Sequence, residues 1–320
     1  MPPASGAIKG KRASETKPRK AGPSRTARVV HLTAEYWPYA RTGGLGEAVR
    51  GMAHFQSAAG SETTVILPLY ESINDGDYGL KPFGGPFVVP IGHRVEHGRI
   101  WEATKGTDGP RVLFLENQDY FGRSGVYGEG GEDYPDNHLR FSFLAAAAIQ
   151  LLPDIATGPE PVLLHMHDWH TALAVVYLRA LGKGDPFADR VATVLSVHNG
   201  GFQGHFPREV MAEMGLPYEL YHMEAMEWYG RANVLKGGLV FTDMASKVSP
   251  SHSFELRTED GGFGIHHTFL GLHDRLVGVL NGIDYGIWNP ETDPQIPANY
   301  STQDLGGKAE CKAAIQREYG

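Results

Sequence analysis

Six short apolar runs, at 29–34, 63–68, 162–167, 192–198, 245–249 and 275–280, punctuate the sequence. Several are rich in β-branched residues and short enough to be buried strands. After the first, apolar residues recur at helical spacing (Leu45, Val49, Met52, Ala53), and 169–181 reads as another helix between two runs. Strand and helix in alternation predict a mostly parallel sheet with helices on both faces. In such a sheet ligands bind outside the carboxyl ends of the strands.

Between 78 and 116 the pattern changes to alternating runs at 87–91, 99–103 and 111–116, a β-meander inserted in the sheet or continuing it. A loop rich in Gly, Tyr and Asp covers 117–136, and an Ala-rich helix covers about 137–152. With 320 residues and 41% apolar side chains, the chain can bury a core of one large domain or two ordinary ones. There is no apolar run of eighteen residues to span a membrane, and the amino terminus has no apolar core of a secretory signal. The single cysteine, Cys311, cannot form an internal disulfide, so a reducing, cytoplasmic compartment is the expectation.

The net charge of −8 is unevenly spread. Residues 1–28 carry eight Lys or Arg against Glu15, a net of +7, which leaves −15 on the rest. Residues 1–27, rich in Pro, Ala, Ser and Lys, are expected to be a disordered solubilising tail; a plastid transit peptide is the alternative. An acidic body argues against nucleic acid as a partner.

The polar clusters fall just after the apolar runs. Arg41-Thr42-Gly43-Gly44-Leu45-Gly46-Glu47 feeds a helix amino terminus, where bare backbone N–H groups and the helix dipole favour an anion and Arg41 adds a full charge. Asp168 follows a strand and opens a helix, as an N-cap or as a carboxylate on a cleft rim. His165, His167 and His170 raise a zinc site, disfavoured because no carboxylate or cysteine completes the set. His198-Asn199-Gly200-Gly201 and Asn281-Gly282-Ile283-Asp284 stand at two further strand ends.

These residues carry a resemblance. The stretch from Glu35 to Leu45, then His165-Met166-His167-Asp168-Trp169-His170, Val197-His198-Asn199, Asn233-Val234-Leu235-Lys236-Gly237-Gly238, Val248-Ser249-Pro250 and Leu280-Asn281-Gly282-Ile283-Asp284 resemble, in order, the motifs of bacterial glycogen synthases and plant starch synthases. The likeness runs from about residue 28 to the last. It implies a retaining glucosyltransferase of the GT-B kind, with two Rossmann-like domains, that moves glucose from ADP-glucose to the non-reducing end of an α-1,4-glucan, with UDP-glucose as the alternative donor. By the resemblance Arg41, Gly43 and Gly44 meet the donor diphosphate, Glu47 belongs with them to the substrate-binding set, and His198 meets the transferred glucose. Asp168 and Asn199 meet the sugar hydroxyls or the acceptor, and Asn281 and Asp284 line the same cleft. His198 and Asp168 are the catalytic pair, no cofactor or metal is called for, and neither membrane nor nucleic acid is a partner.

The family's usual lysine in this glycine motif is Arg41 here, a planar fork in place of a point charge. The resemblance divides the chain into the tail, a Rossmann-like catalytic domain at 28–300 and the start of an interdomain linker helix at 301–320, with the second domain absent. On that division the chain alone is expected to transfer no glucose. A non-catalytic glucan-binding or regulatory half-domain is the rival. A nicotinamide dehydrogenase is disfavoured, since no Gly-x-Gly-x-x-Gly follows the first run.

Overall fold

A computed structural model describes residues 27–73, 75–106, 109–182 and 184–320, so all but the last residue of the segment read as a disordered tail lies outside it. The chain begins with β1 (Arg28–Leu32), α1 (Leu45–Ala58) and β2 (Thr63–Pro68), followed by α2 (Asp75–Tyr78), β3 (Lys81–Pro82), β4 (Phe87–Ile91), β5 (Arg94–Glu102) and β6 (Arg111–Glu116). Next come α3 (Gln118–Phe121), a hairpin of β7 (Gly128–Glu129) and β8 (Glu132–Asp133), and α4 (Asn137–Ile155). β9 (Val162–His167), α5 (Trp169–Val176) and β10 (Val191–Val197) follow. The last part holds β11 (His205–Pro207), β12 (Glu227–Trp228), β13 (Arg231–Asn233), α6 (Val234–Phe241), β14 (Met244–Lys247), α7 (Pro250–Glu255), α8 (His266–Gly271), β15 (Leu276–Gly278) and α9 (Gly306–Tyr319).

One ten-stranded sheet organises the chain in the order β15-β14-β10-β9-β1-β2-β6-β5-β3, with β4 on β5. From β15 to β6 every pairing is parallel. β5 turns antiparallel to β6 and carries β3 and β4 antiparallel to itself. The sequence expresses this difference directly. β2 is buried at every position, as a strand covered on both faces must be, whereas β4 alternates. The expected mostly parallel α/β sheet is therefore present, with the meander as its antiparallel edge.

Several bounds differ from the sequence reading. The run at 99–103 is the end of a nine-residue strand. The helix expected at 169–181 is α-helical only to Val176 and closes with a π turn at Tyr177–Leu181. The helix at 137–152 runs on to Ile155 with Pro153 in its last turn. α6 and α7 were not anticipated, although each has a side-chain cap that marks it: Asn233 accepts from Lys236 N, and Ser249 accepts from His252 N ahead of Pro250.

From β1 the chain moves outward through β2 to β6, and from β9 it moves the other way through β10 and β14 to β15. The reversal falls between β1 and β9, the place where sheets of this kind form their crevice, at the carboxyl ends of the strands. Phe114, Phe121, Phe141 and Phe143 sit almost wholly buried in the core that fixes the crevice walls, each stabilising the fold by about 1.5–3 kcal/mol. No helix among the described residues is long and apolar enough to cross a membrane.

Candidate functional site

The loop between β1 and α1 is built on Glu35. This carboxylate is buried, and its Oε2 accepts the backbone N–H of Thr42 at 2.7 Å and of Gly43 at 3.3 Å. Its Oε1 accepts the hydroxyls of Thr42 at 2.7 Å and Tyr127 at 2.6 Å. Four donors satisfy a charge that would otherwise be costly to bury. Burial first, then the Glu35 charge, pushes the Tyr127 hydroxyl well above its usual range, so it remains a donor. Of the glycine N–H groups expected to meet a ligand anion, that of Gly43 thus faces inward. The N–H groups of the first turn of α1 have no intrahelical partner and lie at the positive end of its dipole.

The glycines divide by role. A side chain added at Gly43 or Gly44 would meet nothing within 4 Å among the described residues, so packing does not require either glycine. At Gly46 an added Cβ would lie 2.9 Å from the Ala40 carbonyl oxygen, and there close approach of two backbones demands glycine. Arg41 is ion-paired with Glu47, and its guanidinium lies 4.7 Å from the centre of the Trp37 ring. Beside it opens a cavity of about 580 Å³ lined by Trp37, Arg41, Thr42, Ser72, Ser124 and Tyr127, among others.

On the other side of the crevice stands Asp168. Its backbone has φ 57° and ψ −176°, a region that side chains other than glycine rarely adopt. The side chain makes no cap bond to α5. Instead Oδ1 accepts the backbone N–H of His198 at 2.7 Å and of Asn199 at 3.3 Å, tying the end of β9 to the end of β10. Lys247, buried at the end of β14, donates to the His198 carbonyl at 2.6 Å and closes the arrangement from the next strand. Burial pushes the Asp168 carboxyl up to about 7, against the pull of the two N–H groups and the Lys247 charge. Burial, and then Lys247, lowers His198 to about 4, so its ring is neutral at physiological pH. Asn199 is exposed and its Oδ1 accepts from Gly201 N at 3.0 Å.

The remaining sequence candidates are placed as follows. Asp284 accepts from Arg50 of α1 at 2.7 Å, and that bond holds its carboxyl below the usual range. The segment bearing Asn281 and Asp284 is thereby fastened alongside α1, with Asn281 exposed on it. His165 and His167 are neighbours, with ring centres 4.3 Å apart, but His170 is not with them: it stacks on Tyr127 at 4.5 Å. The third histidine of the cluster is His31, and one ligand atom from each of the three lies within 4.8 Å of the others. Sequence reasoning missed His31, Glu35, Tyr127, Lys247 and Arg50 as site residues. Lys247 and His31 carried a signal, a polar side chain inside an apolar run; Tyr127 carried none.

The strand order defines a doubly wound α/β domain with its switch point between β1 and β9. Within that class the chain belongs to the starch synthase catalytic domain family, which residues 28–270 match. It is 40% identical over 292 residues to the glycogen synthase of Syntrophotalea carbinolica, covering 91% of this chain and 60% of that protein. It is 38% identical over 293 residues to glycogen synthase 1 of Geobacter sulfurreducens, covering 91% of this chain and 58% of that one. Among solved structures, the catalytic domain of starch synthase IV from Arabidopsis thaliana, bound to ADP and acarbose, superposes with a TM-score of 0.77 at 31% identity, over 92% of this chain and 59% of that chain. The chain thus spans about 60% of the length of these relatives.

Proposed function

We propose that this chain is the acceptor-side domain of a retaining glucosyltransferase that moves glucose from ADP-glucose to the non-reducing end of an α-1,4-glucan, with UDP-glucose as the alternative donor. The observation that carries the reading is the meeting, at one crevice of a starch synthase fold, of an open helix amino terminus with Asp168 and His198. As the bond from the sugar to the diphosphate lengthens, negative charge gathers on the leaving phosphate. N–H groups at the start of α1 stabilise that charge more in the transition state than in the ground state. Arg41 adds a cation once its guanidinium turns from Glu47 to the phosphate. Neutral His198 and buried Asp168 offer hydrogen bonds to the hydroxyls of the transferred glucose, with Asn199 beside them.

We assign 28–300 to this catalytic domain and 301–320, which includes α9, to the start of a linker helix. The relatives are longer, and we place the remaining cations for the diphosphate in the part of them this chain does not span. A cytoplasmic location goes with this reading and is supported by the single Cys311.

The test supplies the chain, in cis, with the carboxyl-terminal portion of the Syntrophotalea carbinolica glycogen synthase. Radiolabel from ADP-glucose should enter a glycogen primer, and His198→Ala should abolish it. A folded chimaera that binds glucan yet labels no polymer from either nucleotide sugar would refute the proposal and favour a glucan-binding module.

A further inference from the structure

Four side chains in line connect the surface of α1 to His198. Gln56 Oε1 lies 2.7 Å from His31 Nε2, His31 Nδ1 lies 3.0 Å from His167 Nε2, and His167 Nδ1 lies 3.1 Å from His198 Nε2. The two middle rings, on β1 and β9, have no exposed surface, whereas Gln56 and His198 at the ends are partly exposed. Both nitrogens of His31 and both of His167 are engaged, each with one partner along the line.

A neutral imidazole has one N–H and one lone pair, so each ring must pass on the polarity it receives. Burial keeps the rings neutral: His31 is lowered to about 4 and His167 well below its usual range. The amide oxygen of Gln56 accepts, so the proton of His31 sits on Nε2 and its Nδ1 is a lone pair. His167 then donates from Nε2 and accepts at Nδ1. His198 donates from Nε2, and its Nδ1, which has no hydrogen bond to the described residues, is left as a lone pair.

We propose that Gln56, His31 and His167 are positioning residues that hold His198 in its Nε2–H tautomer, so that its free nitrogen accepts a hydrogen bond from a sugar hydroxyl and cannot donate one to a phosphate oxygen. The sugar hydroxyl rests on the glucosyltransferase reading, whereas the tautomer does not. The neighbouring His165 belongs to a separate branch, bonded to Ser196 at 2.7 Å, which in turn meets Ser246 at 2.6 Å. A metal ion on His31, His165 and His167 would take one ring nitrogen of His31 and one of His167, and all four nitrogens of those two rings are already engaged along the line, so a metal and the relay exclude one another.

The test is a long-range proton–nitrogen correlation on the 320-residue chain labelled with ¹⁵N-histidine, with the His198 signals assigned from their loss in His198→Ala. Wild type should show His198 as one tautomer with the proton on Nε2. His31→Asn, whose amide oxygen can take the place of Nδ1, should keep it; His31→Leu and Gln56→Leu should populate the second tautomer. In the active chimaera, His31→Leu should lower kcat by roughly tenfold or more with KM little changed, and His31→Asn should restore most of it. A proton on Nδ1 of His198 in wild type, a tautomer untouched by both leucine variants, or one zinc per chain retained through purification would each overturn the relay. Should His31→Leu fail to fold, Gln56→Leu, at the partly exposed end, gives the same reading. Correct tautomers in a chimaera that transfers no glucose would reject the glucosyltransferase reading and leave the relay standing.

Discussion

Asp168 Oδ1 accepts the backbone N–H of His198 at 2.7 Å, a bond between residues 30 apart in sequence that joins the ends of two adjacent parallel strands. The carboxylate that the family resemblance assigns to sugar binding is thus also the anchor of the turn that carries His198. Its two tasks separate by substitution.

Asp168→Asn keeps an acceptor oxygen and removes a charge whose burial is unfavourable, so stability should change by less than about 1 kcal/mol. Asp168→Ala leaves the His198 and Asn199 N–H groups unpaired at a buried site, a loss of about 1–3 kcal/mol. Asp168→Gly loses the same bonds but relaxes a backbone at φ 57°, a conformation that costs about 1–3 kcal/mol for other residues. Urea unfolding should rank the variants Asn, Gly, Ala in falling stability. An alanine variant as stable as the asparagine one would remove these bonds from the account of the turn.

The glycines of the first loop should part in the same way. Gly43→Ala and Gly44→Ala meet no neighbour among the described residues and should leave the melting temperature nearly unchanged while weakening ADP-glucose binding in the chimaera. Gly46→Ala presses on the Ala40 carbonyl and should cost about 1–3 kcal/mol by overpacking. Calorimetry of binding beside thermal unfolding reads both. Loss of stability at Gly43 with intact binding would reverse the assignment.

The order of strands and the polar clusters at their ends were legible because period and chain direction are written locally. The run from Val162 to His167 and the Asp168 after it needed no tertiary knowledge. What closed the site was not local. Glu35 meets Tyr127 across 92 positions and Arg50 meets Asp284 across 234, and neither pairing leaves a period in the sequence. His31 lies opposite His165 only because β1 pairs with β9 in that register. A buried histidine in an apolar run signalled that a partner must exist, but not which one.

Arg41 offers a test of charge. Its pair with Glu47 is exposed, so Arg41→Ala should alter stability by no more than about 1 kcal/mol. In the chimaera it should weaken donor use by tenfold or more, as expected for a lost charge-assisted bond to phosphate worth about 1.5–3 kcal/mol, and Arg41→Lys should lose less. Glu47→Gln should lower KM for ADP-glucose by releasing the guanidinium from its competitor. A rise in KM there would mean that Glu47 orients Arg41 rather than holding it back.

The last prediction concerns acid. Burial lowers His31 and His198 to about 4, His170 to about 3, and His165 and His167 well below their usual range. Between pH 6.5 and about 4 the unfolded chain therefore binds more protons at these groups than the folded one, and stability rises with pH across that window. Asp168, raised to about 7, has the opposite sign between its unfolded value and neutrality, but it is one group against five. The fold should accordingly weaken from pH 7 to pH 5, by about 2 kcal/mol for each histidine held fully neutral. His170 is the cleanest probe, since its Nδ1 is buried without a hydrogen-bond partner among the described residues and its ring packs on Tyr127 and Phe141. His170→Phe should shrink the difference in unfolding free energy between the two pH values, whatever it does to stability at pH 7. If urea titrations show the same pH dependence in wild type and variant, His170 does not titrate on unfolding and its burial has been misjudged.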